Sequence, residues 1–272
     1  HIITGNDLYG GSFRLFRNIN ARNGVEFTTV HTSKLEEIKA AIKPNTKAIF
    51  LETPTNPTME ISDLRAISKI AKENNFLVIV DNTFLTPYFQ KPLALGADIV
   101  IHSGTKYLAG HNDVLAGFTV VKEQTLADKL HLIYKTTGAC LGALDAWLVI
   151  RGIKTLPLRM EQHQKNATAI AAWLQKQPRV KYVLYPGLAE HPGYAVNKGQ
   201  TSGFGGMISF AVDNAETARQ ILEGVKLIQF AESLGGTESL ITYPIRQTHT
   251  DLTPEECAEK GITDCLLRLS TG

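Results

Sequence analysis

The sequence has 272 residues, a formal net charge of +2 and 43% hydrophobic residues, a composition typical of a globular protein of one or two domains. So small a net charge excludes nucleic-acid binding through clustered basic residues. No apolar run reaches the length of a membrane span, no signal peptide is recognised, and the three cysteines have neither a CxxC nor a zinc-binding spacing. We therefore predict a cytoplasmic protein without a metal site.

Both ends of the sequence lie inside regular patterns. The chain starts at His1 in the strand-like HIITG and stops at LLRLSTG with no closing helix. We interpret the sequence as part of a longer chain whose N-terminal part is missing.

Short apolar runs alternate with helical patterns through the first half of the chain. The strand runs are HIIT, VEFTTV, KAIFLET, FLVIVD, ADIVIHS and GFTVV, and the helical segments are GGSFRLFRNINARNG, KLEEIKAAI and SDLRAISKIAKENN. Ser62 or Asp63 is placed to cap the third helix. Continuous apolar runs are typical of strands buried on both faces. The alternation predicts a mostly parallel sheet covered by helices, with a mixed α+β sheet as the alternative.

The pattern changes in the second half. Residues 142–177 carry helical apolar spacing with a break near Pro157, as expected for a helix that connects two domains. The strand runs RVKYVLYP, GGMISFAV, LIQFAES, SLITYP and DCLLRLS follow, with one helix, AETARQILEGV, and an irregular loop, YPGLAEHPGY. We predict an α/β protein with a large domain at residues 1–150 and a smaller α+β domain, including the connecting helix, at residues 151–272.

Two reactive side chains follow buried strand runs. Asp81 ends FLVIVD, and Lys106 comes just after ADIVIHS, 25 residues later, which is the length of one crossover. Ligands of open parallel sheets bind beyond the carboxyl ends of the strands. A lysine there can form an imine with an aldehyde, and a carboxylate can hold a proton on a heteroaromatic nitrogen. The two tasks meet in one cofactor, pyridoxal 5'-phosphate (PLP).

Each of these residues also has an ordinary structural explanation. An aspartate after a strand is commonly a helix cap, and a lysine there is commonly a surface charge. The hydroxyls of Ser103 and Thr105 favour the functional interpretation, because they can hydrogen-bond a phosphate while Lys106 reaches the aldehyde carbon. The chemistry also requires that burial and nearby cations lower the pKa of Lys106, since only the neutral amine attacks.

Several segments together resemble a known family. DNTF at 81–84 and HSGTKYLAGHNDVLAG at 102–117 are similar to the signature of the Cys/Met-metabolism, or trans-sulfuration, family of PLP-dependent enzymes. The segments NDLYGGSFRLF, ETPTNPTMEISD, ESLGGTESLITYP and LLRLSTG resemble further parts of that family in the same order. The resemblance covers essentially the whole chain and implies the fold type I of PLP-dependent transferases. It is closest to the cystathionine γ-synthase and cystathionine β-lyase type.

The resemblance implies how the cofactor ring would be held. Lys106 would form the imine and later shuttle a proton, and Asp81 would pair with the pyridine nitrogen. Tyr9 would stack on the ring and assist the leaving group, while Asn56 would lie near the phenolic oxygen. Without the family, Tyr9 has the alternative of plain packing.

The resemblance likewise implies groups that bind the two anions of the site. Ser103 and Thr105 would bind the phosphate. Arg268 would clamp the substrate α-carboxylate with its planar guanidinium, supported by Ser233. Without the family, Arg268 has the alternative of a surface ion pair.

Some family features depart from this sequence or lie outside it. The Gly-rich phosphate loop and the N-terminal arm that reaches a neighbouring subunit's site both lie upstream of the segment that starts here. Gly104 stands where alanine is frequent and Asn112 where serine is frequent. Members form homotetramers of close dimers, so the resemblance implies a homo-oligomer. We interpret three nearby histidines as packing or hydrogen-bonding groups, namely His102, His111 and His249.

The reaction within the family has several candidates. LYGGSFRLF, GHNDVLAG and RMEQHQ resemble bacterial γ-synthases somewhat more, which favours γ-replacement on an O-acylhomoserine by cysteine. Cystathionine β-lyase and the γ-lyases of cystathionine and methionine are the alternatives. All of them act on small-molecule amino acids.

Two hypotheses of other classes remain. Ser103 to Lys106 also fits the S-x-x-K pattern of serine acyl-transfer enzymes, and KTTG at 135–138 resembles their K-T-G element, but an S-D-N element is lacking. The chain is alternatively a folded domain without a cofactor, with a structural or partner-binding role.

Overall fold

A computed structural model describes residues 1–248 and 253–272. Its strands in these ranges are β1 Ile2–Gly5, β2 Phe27–Val30, β3 Ala48–Glu52, β4 Leu77–Asp81, β5 Ile99–Ser103, β6 Gly117–Val121, β7 Val180–Leu184, β8 Met207–Val212, β9 Gln229–Phe230, β10 Leu240–Thr242 and β11 Leu266–Ser270. Its α-helices are α1 Gly10–Arg14, α2 Leu35–Ala40, α3 Leu64–Glu73, α4 Thr86–Phe89, α5 Gln124–Thr137, α6 Ala143–Ile153, α7 Leu156–Leu174, α8 Tyr194–Gln200, α9 Ala215–Gly224 and α10 Pro254–Glu259.

The first six strands form one sheet in the order β2-β1-β3-β4-β5-β6. Strands β1 to β5 are parallel to their neighbours, and only the edge strand β6 runs antiparallel, against β5. The predicted mostly parallel sheet is therefore confirmed. The adjacency of β4 and β5 brings the strand ends before Asp81 and Lys106 to the same edge of the sheet.

Helix α3 shows why the large sheet is covered as predicted. Asp63 caps it, because the side-chain oxygen Oδ1 accepts a hydrogen bond of 3.0 Å from the amide of Ala66. The apolar residues Leu64, Ile67 and Ile70 repeat at helical spacing and are buried against the sheet core. Burying each such side chain contributes about 1.5–3 kcal/mol, which is more than the helix propensity of any single residue.

The segment after β1 differs in detail from the single helix that was expected. Helix α1 continues into a π-helical stretch over Leu15–Asn20 and a short 3₁₀ turn over Ala21–Asn23. It ends at Gly24, as predicted, where φ is +81°, a conformation that glycine adopts without a steric penalty.

The second sheet has the order β7-β8-β11-β10-β9 and is antiparallel except between β9 and β10. Helices α7 and α9 contribute to its core. The helical region breaks before Leu156, and Pro157 sits in the first turn of α7, where a missing amide proton costs no hydrogen bond. The structure adds α5 and also α8, which begins at the end of the expected loop. The division into domains at residues 150 and 151 stays a prediction.

Other expectations concern histidines, membranes and metals. His111 Nδ1 lies 2.8 Å from the carbonyl oxygen of Ala109, while His249 falls outside the described residues. In the ranges 1–248 and 253–272, none of the helices is both long and apolar enough to cross a membrane. Across the same residues, no three side chains of His, Cys, Asp or Glu cluster in a way that would hold a metal ion.

His102 predicts a pH dependence of stability. It lies in β5 with 5% of its surface exposed, and burial lowers its pKa to about 4 although the backbone of Asn82 opposes the shift. The unfolded chain, with a pKa near 6.5, binds the proton first, so stability is complete above pH 6.5 and falls as the pH approaches 4. The loss is roughly 3 kcal/mol.

Urea unfolding of the wild type and of His102→Gln at pH 7.5 and pH 4.5 measures this contribution. The wild type is expected to lose more stability between the two pH values than the variant, because the other buried histidines titrate in both proteins. Equal losses in the two proteins would contradict the prediction.

Candidate functional site

The candidate site lies where β3, β4 and β5 end side by side. Glu52 is in register with Asp81, and Ser103 closes β5 one strand further along. A cavity of about 160 Å³ opens at this edge. Six of the predicted site residues line it, namely Tyr9, Asn56, Asp81, Ser103, Thr105 and Lys106. Six further residues line it without having been predicted, namely Glu52, Pro54, Thr83, Phe84, Leu115 and Leu234.

Asp81 is one of two carboxyl groups in the wall of the cavity. Its Oδ1 accepts hydrogen bonds from the amide of Thr83 at 3.0 Å and from the hydroxyl of Thr83 at 2.5 Å. Among the described residues, no hydrogen bond reaches its other oxygen, Oδ2. Burial raises the pKa of Asp81, while the two bonds from Thr83 oppose that shift by favouring the ionised form. One carboxylate oxygen is thus fixed and the other is available to a ligand.

Lys106 lies in the turn Gly104–Leu108, with φ of −90° and ψ of −129°, outside the helical region. Its Nζ donates a hydrogen bond of 3.0 Å to Ser233 Oγ. Burial, and then the positive charge of Arg268, lower the pKa of Lys106. The direction of this shift is the one required for attack on an aldehyde, because it moves the equilibrium of Lys106 towards the neutral amine.

Hydrogen bonds from Arg159 stabilise the turn that carries Lys106. This buried side chain of α7 donates to the carbonyl oxygens of Tyr107, at 2.7 Å, and Gly152, at 2.8 Å. Gly110, at φ of +76°, leaves room for the guanidinium, since a Cβ there would lie 2.2 Å from Arg159 Nη1. Sequence patterns gave no sign of this role, because it depends on how α7 packs against the turn.

Arg268 is 2% exposed and lies next to the cavity rather than in its wall. Its Nη1 donates to Asn56 Oδ1 at 2.8 Å, and its Nη2 donates to the carbonyl oxygen of Ser233 at 3.0 Å and to Thr242 Oγ1 at 3.1 Å. No carboxylate within the described residues forms an ion pair with it. Burial lowers the pKa of Arg268 to about 10.

A guanidinium has five N–H donors, and the protein uses three of those of Arg268. One donor remains on Nη1 and another on Nε, which is buried without a partner. These two donors lie on different sides of the planar guanidinium, so they offer an anion two separate hydrogen bonds and not one bidentate pair. A buried cation with two unused donors is suited to an anionic ligand, since among the described residues no carboxylate pairs with it directly and only the charge of Glu232 partly offsets its own.

The two residues predicted to bind phosphate differ in whether their hydroxyl group is free to donate a hydrogen bond. Thr105 Oγ1 accepts from the amide of Ala116 at 3.0 Å and donates to the carbonyl oxygen of Ala116 at 3.3 Å, so its proton is already in use. Ser103 is half-buried, and no described residue hydrogen-bonds its hydroxyl. Ser103 is therefore the better placed donor of the two.

Tyr9 and Ser233 complete the arrangement. Tyr9 lies at the rim with half of its surface exposed. Ser233 has φ of +120°, a region that residues with a side chain rarely adopt, and it joins Lys106 to Arg268 because its hydroxyl accepts from one and its carbonyl from the other. The structure thus brings all eight predicted residues together, and their roles stay predictions.

Two functional residues in the wall were not assigned a role from the sequence. Thr83 fixes Asp81 and also accepts a 2.8 Å hydrogen bond from the amide of Ser103, so it connects the ends of β4 and β5. Glu52 ends β3 beside Asp81. Both occur in segments that carry the family resemblance, and the position of Glu52 at a strand end is the signal that could have found it.

A larger cavity elsewhere does not compete as a reactive site. It measures about 710 Å³ and lies between α7, α9 and the second sheet, with an almost entirely apolar wall.

The structure does not support the S-x-x-K alternative, because Lys106 pairs with Ser233 and Ser103 closes a strand instead of opening an α-helix. The chemically equipped site is the smaller cavity.

Comparisons with known proteins agree with this geometry. The chain is 50% identical over 272 residues to cystathionine gamma-lyase of Bacillus subtilis, covering 100% of this chain and 72% of the relative. It is 51% identical over 271 residues to cystathionine gamma-synthase of Haemophilus influenzae, with 99% and 69% covered, and 46% identical over 272 residues to cystathionine beta-lyase MetC of Bacillus subtilis, with 100% and 70% covered.

A solved structure confirms the fold. The crystal structure of cystathionine gamma-lyase from Lactobacillus plantarum complexed with L-serine superimposes with a TM-score of 0.97 at 45% identity, covering 100% of this chain and 71% of that one. The family model described as Cys/Met metabolism PLP-dependent enzyme matches residues 1–272. The resemblance predicted from the sequence is thereby confirmed, together with the α/β fold type I and the dependence on PLP. The chain belongs to the Cys/Met-metabolism family of PLP-dependent enzymes, which carry out C–S bond chemistry in trans-sulfuration.

Proposed function

We propose that this protein carries out γ-replacement on an O-acylhomoserine, with cysteine as the incoming nucleophile and cystathionine as the product. The observation that carries the proposal is the chain of contacts from Lys106 through Ser233 to Arg268 at the edge of a cavity that also holds Asp81. It places an amine of lowered pKa next to a cation with two free donors. An amine and a guanidinium in this arrangement are suited to reactions at the α-carbon of an amino acid.

The residues present fit PLP. Lys106 would attach the cofactor, because burial and Arg268 favour its neutral amine. Asp81 Oδ2, which no described residue occupies, would pair with the protonated ring nitrogen. Ser103 would donate to the phosphate, and Tyr9 at the rim would cover the ring. When bound, PLP supplies an aldehyde that takes up the amino group and a ring that accepts the electron pair left at the α-carbon.

The protein's own groups then have distinct tasks. Arg268 would hold the α-carboxylate with its positive charge and its unused Nη1 donor and so fix the orientation of the substrate. Lys106 Nζ would act as general base by removing the α-proton and then a β-proton, which allows the acyloxy group to leave Cγ with its electron pair. After the cysteine sulfur has bonded to Cγ, with its thiol proton lost to the departing carboxylate or to solvent, Nζ would act as general acid and return protons to the β-carbon and the α-carbon. Ser233 Oγ, 3.0 Å from Nζ, orients the amine between these transfers.

The choice of reaction rests on similarity of sequence. The relatives named for γ-chemistry include proteins 50%, 51% and 52% identical to this chain, and those named as β-lyases include proteins 46% and 48% identical. Together with the γ-synthase-like segments LYGGSFRLF and GHNDVLAG, this favours a reaction at Cγ. Cystathionine γ-lyase activity is the second candidate, since it uses the same residues and differs in having no incoming cysteine.

Product analysis distinguishes these reactions. The full chain, saturated with PLP, is incubated with O-succinylhomoserine or O-acetylhomoserine plus cysteine, and separately with cystathionine. We expect cystathionine from the first mixture. Formation of 2-oxobutyrate from cystathionine, without γ-replacement, would identify a γ-lyase, and pyruvate without γ-replacement would identify a β-lyase. A chain that develops no absorbance beyond the protein band with PLP would favour a cofactor-free structural role instead.

We further propose a cytoplasmic homo-oligomer, a tetramer of close dimers. The three cysteines are unpaired, which suits a reducing compartment. Large apolar side chains of α5, α6 and the start of α7 are exposed to a degree unusual for a free surface, namely Leu132, Ile133, Leu144, Trp147, Ile150 and Leu158. Sedimentation equilibrium tests the assembly, and a monomer at micromolar concentration would contradict it.

A further inference from the structure

Glu52 is a buried acid for which the proposed reaction gives no task. It is the last residue of β3, is 6% exposed, and is the register partner of Asp81 in β4. In parallel strands, register partners lie about 5 Å apart and point to the same face of the sheet. Two carboxyl groups therefore stand side by side in the wall of the cavity.

The contact that Glu52 makes leads directly to Tyr9. Its Oε1 accepts a hydrogen bond of 2.7 Å from the backbone amide of Tyr9. Tyr9 precedes α1, and no side chain caps that helix. The two residues are 43 positions apart, so the bond ties the loop after β1 to the end of β3. The Tyr9 ring lies close to Gly11, and half of the residue is exposed at the rim.

The charge state of Glu52 follows from its neighbours. Burial first, and then the charge of Asp81, raise the pKa of Glu52 well above its usual range, while the bond from Tyr9 opposes the shift. Asp81 receives two hydrogen bonds from Thr83, whereas Glu52 receives one from Tyr9. Burial raises the pKa of both acids, and it raises that of Glu52 more, so Glu52 is the more readily protonated of the two and Asp81 the more readily ionised.

We propose that Glu52 is a positioning residue whose carboxyl oxygen holds the Tyr9 amide and thereby fixes the Tyr9 ring across the mouth of the cavity. An acceptor is required at this position, and a negative charge is not. The importance of Tyr9 rests on the proposed function, but the contact between Glu52 and Tyr9 does not.

Hydrogen exchange of the Tyr9 amide tests the contact in the full chain without cofactor. Glu52→Gln keeps a neutral acceptor oxygen, and Glu52→Met keeps the volume but removes the acceptor. We expect the exchange rate at Tyr9 to be unchanged in Glu52→Gln and about tenfold or more faster in Glu52→Met. Glu37 offers a matched control, since its carboxylate accepts from the amide of His31 at 2.8 Å. Glu37→Met should release His31 and leave Tyr9 protected.

Three results would overturn the proposal. They are an unprotected Tyr9 amide in the wild type, a protected one in Glu52→Met, and equal loss of protection in Glu52→Gln and Glu52→Met, which would show that the charge is needed. If Glu52→Met does not fold, hydrogen exchange in the wild type and in Glu52→Gln still tests the proposal. An unprotected Tyr9 amide in the wild type or in Glu52→Gln would contradict the positioning role of Glu52.

A second measurement connects the contact to the cofactor. The dissociation constant for PLP, measured by absorbance, is expected to rise about tenfold in Glu52→Met and to stay within twofold of the wild type in Glu52→Gln. An unchanged constant in Glu52→Met would overturn the positioning role. If the wild type binds no PLP, the proposed function fails, and the exchange experiment still decides whether Glu52 holds Tyr9.

Discussion

Lys106→Ala is expected to abolish covalent attachment of PLP and to lower the turnover rate by at least about 10³-fold, because one side chain supplies both the attaching amine and the general acid-base group. Lys106→Arg is expected to behave in the same way, since a guanidinium stays protonated and cannot attack an aldehyde. Reduction with borohydride, followed by mass spectrometry of the peptide that contains Lys106, measures attachment, and a product assay measures turnover.

An exposed lysine provides the control for this experiment. Lys122→Ala, just after β6, removes the same group from the surface and should leave both attachment and turnover unchanged. A trapped adduct on another lysine, or turnover of Lys106→Ala within tenfold of the wild type, would contradict the assignment.

Arg268→Lys is expected to raise KM for the amino-acid substrate about 100-fold. An ammonium has three donors, so it cannot keep the three contacts to Asn56, Ser233 and Thr242 and also donate to a carboxylate, and each charge-assisted hydrogen bond contributes about 1.5–3 kcal/mol. Binding of the corresponding amine, which lacks the carboxylate, serves as the matched control. Its affinity, followed by the absorbance of the bound cofactor, should change far less than that of the amino acid.

The same position predicts a change in pH dependence. Burial lowers the pKa of Lys106, and the charge of Arg268 lowers it further, so removal of that charge in Arg268→Met raises the pKa of Lys106 again. A larger fraction of the amine is then protonated at neutral pH, and PLP attachment should move to more alkaline pH. Equal loss of affinity for the amino acid and its amine in Arg268→Lys, or an unchanged pH profile in Arg268→Met, would contradict these assignments.

The sequence predicted best where the signals are local. Buried parallel strands are continuous apolar runs, so β3, β4 and β5 were recognisable, and Asp81 and Lys106 stood out because polar residues followed these runs. The Asp63 cap was visible for the same reason, since a cap and its helix are contiguous. Helix α5 and the π-helical stretch after α1 were not recognised, because their exposed or irregular patterns lack a clear apolar period.

Sequence by itself determined the chemical types available, a lysine and an aspartate at neighbouring strand ends, and the family resemblance supplied the remaining candidates. Only the tertiary structure decided how they meet. Ser233 reaches Lys106 across 127 positions, and Arg268 reaches Asn56 across 212. The pairing of Glu52 with the Tyr9 amide appears only when β1 and β3 pair in the first sheet, and the contacts that leave two donors of Arg268 unused appear only when the second sheet packs against the first. Contacts at such separations depend on how whole sheets and helices pack, and no local propensity or spacing encodes which side chains that packing brings within hydrogen-bond distance.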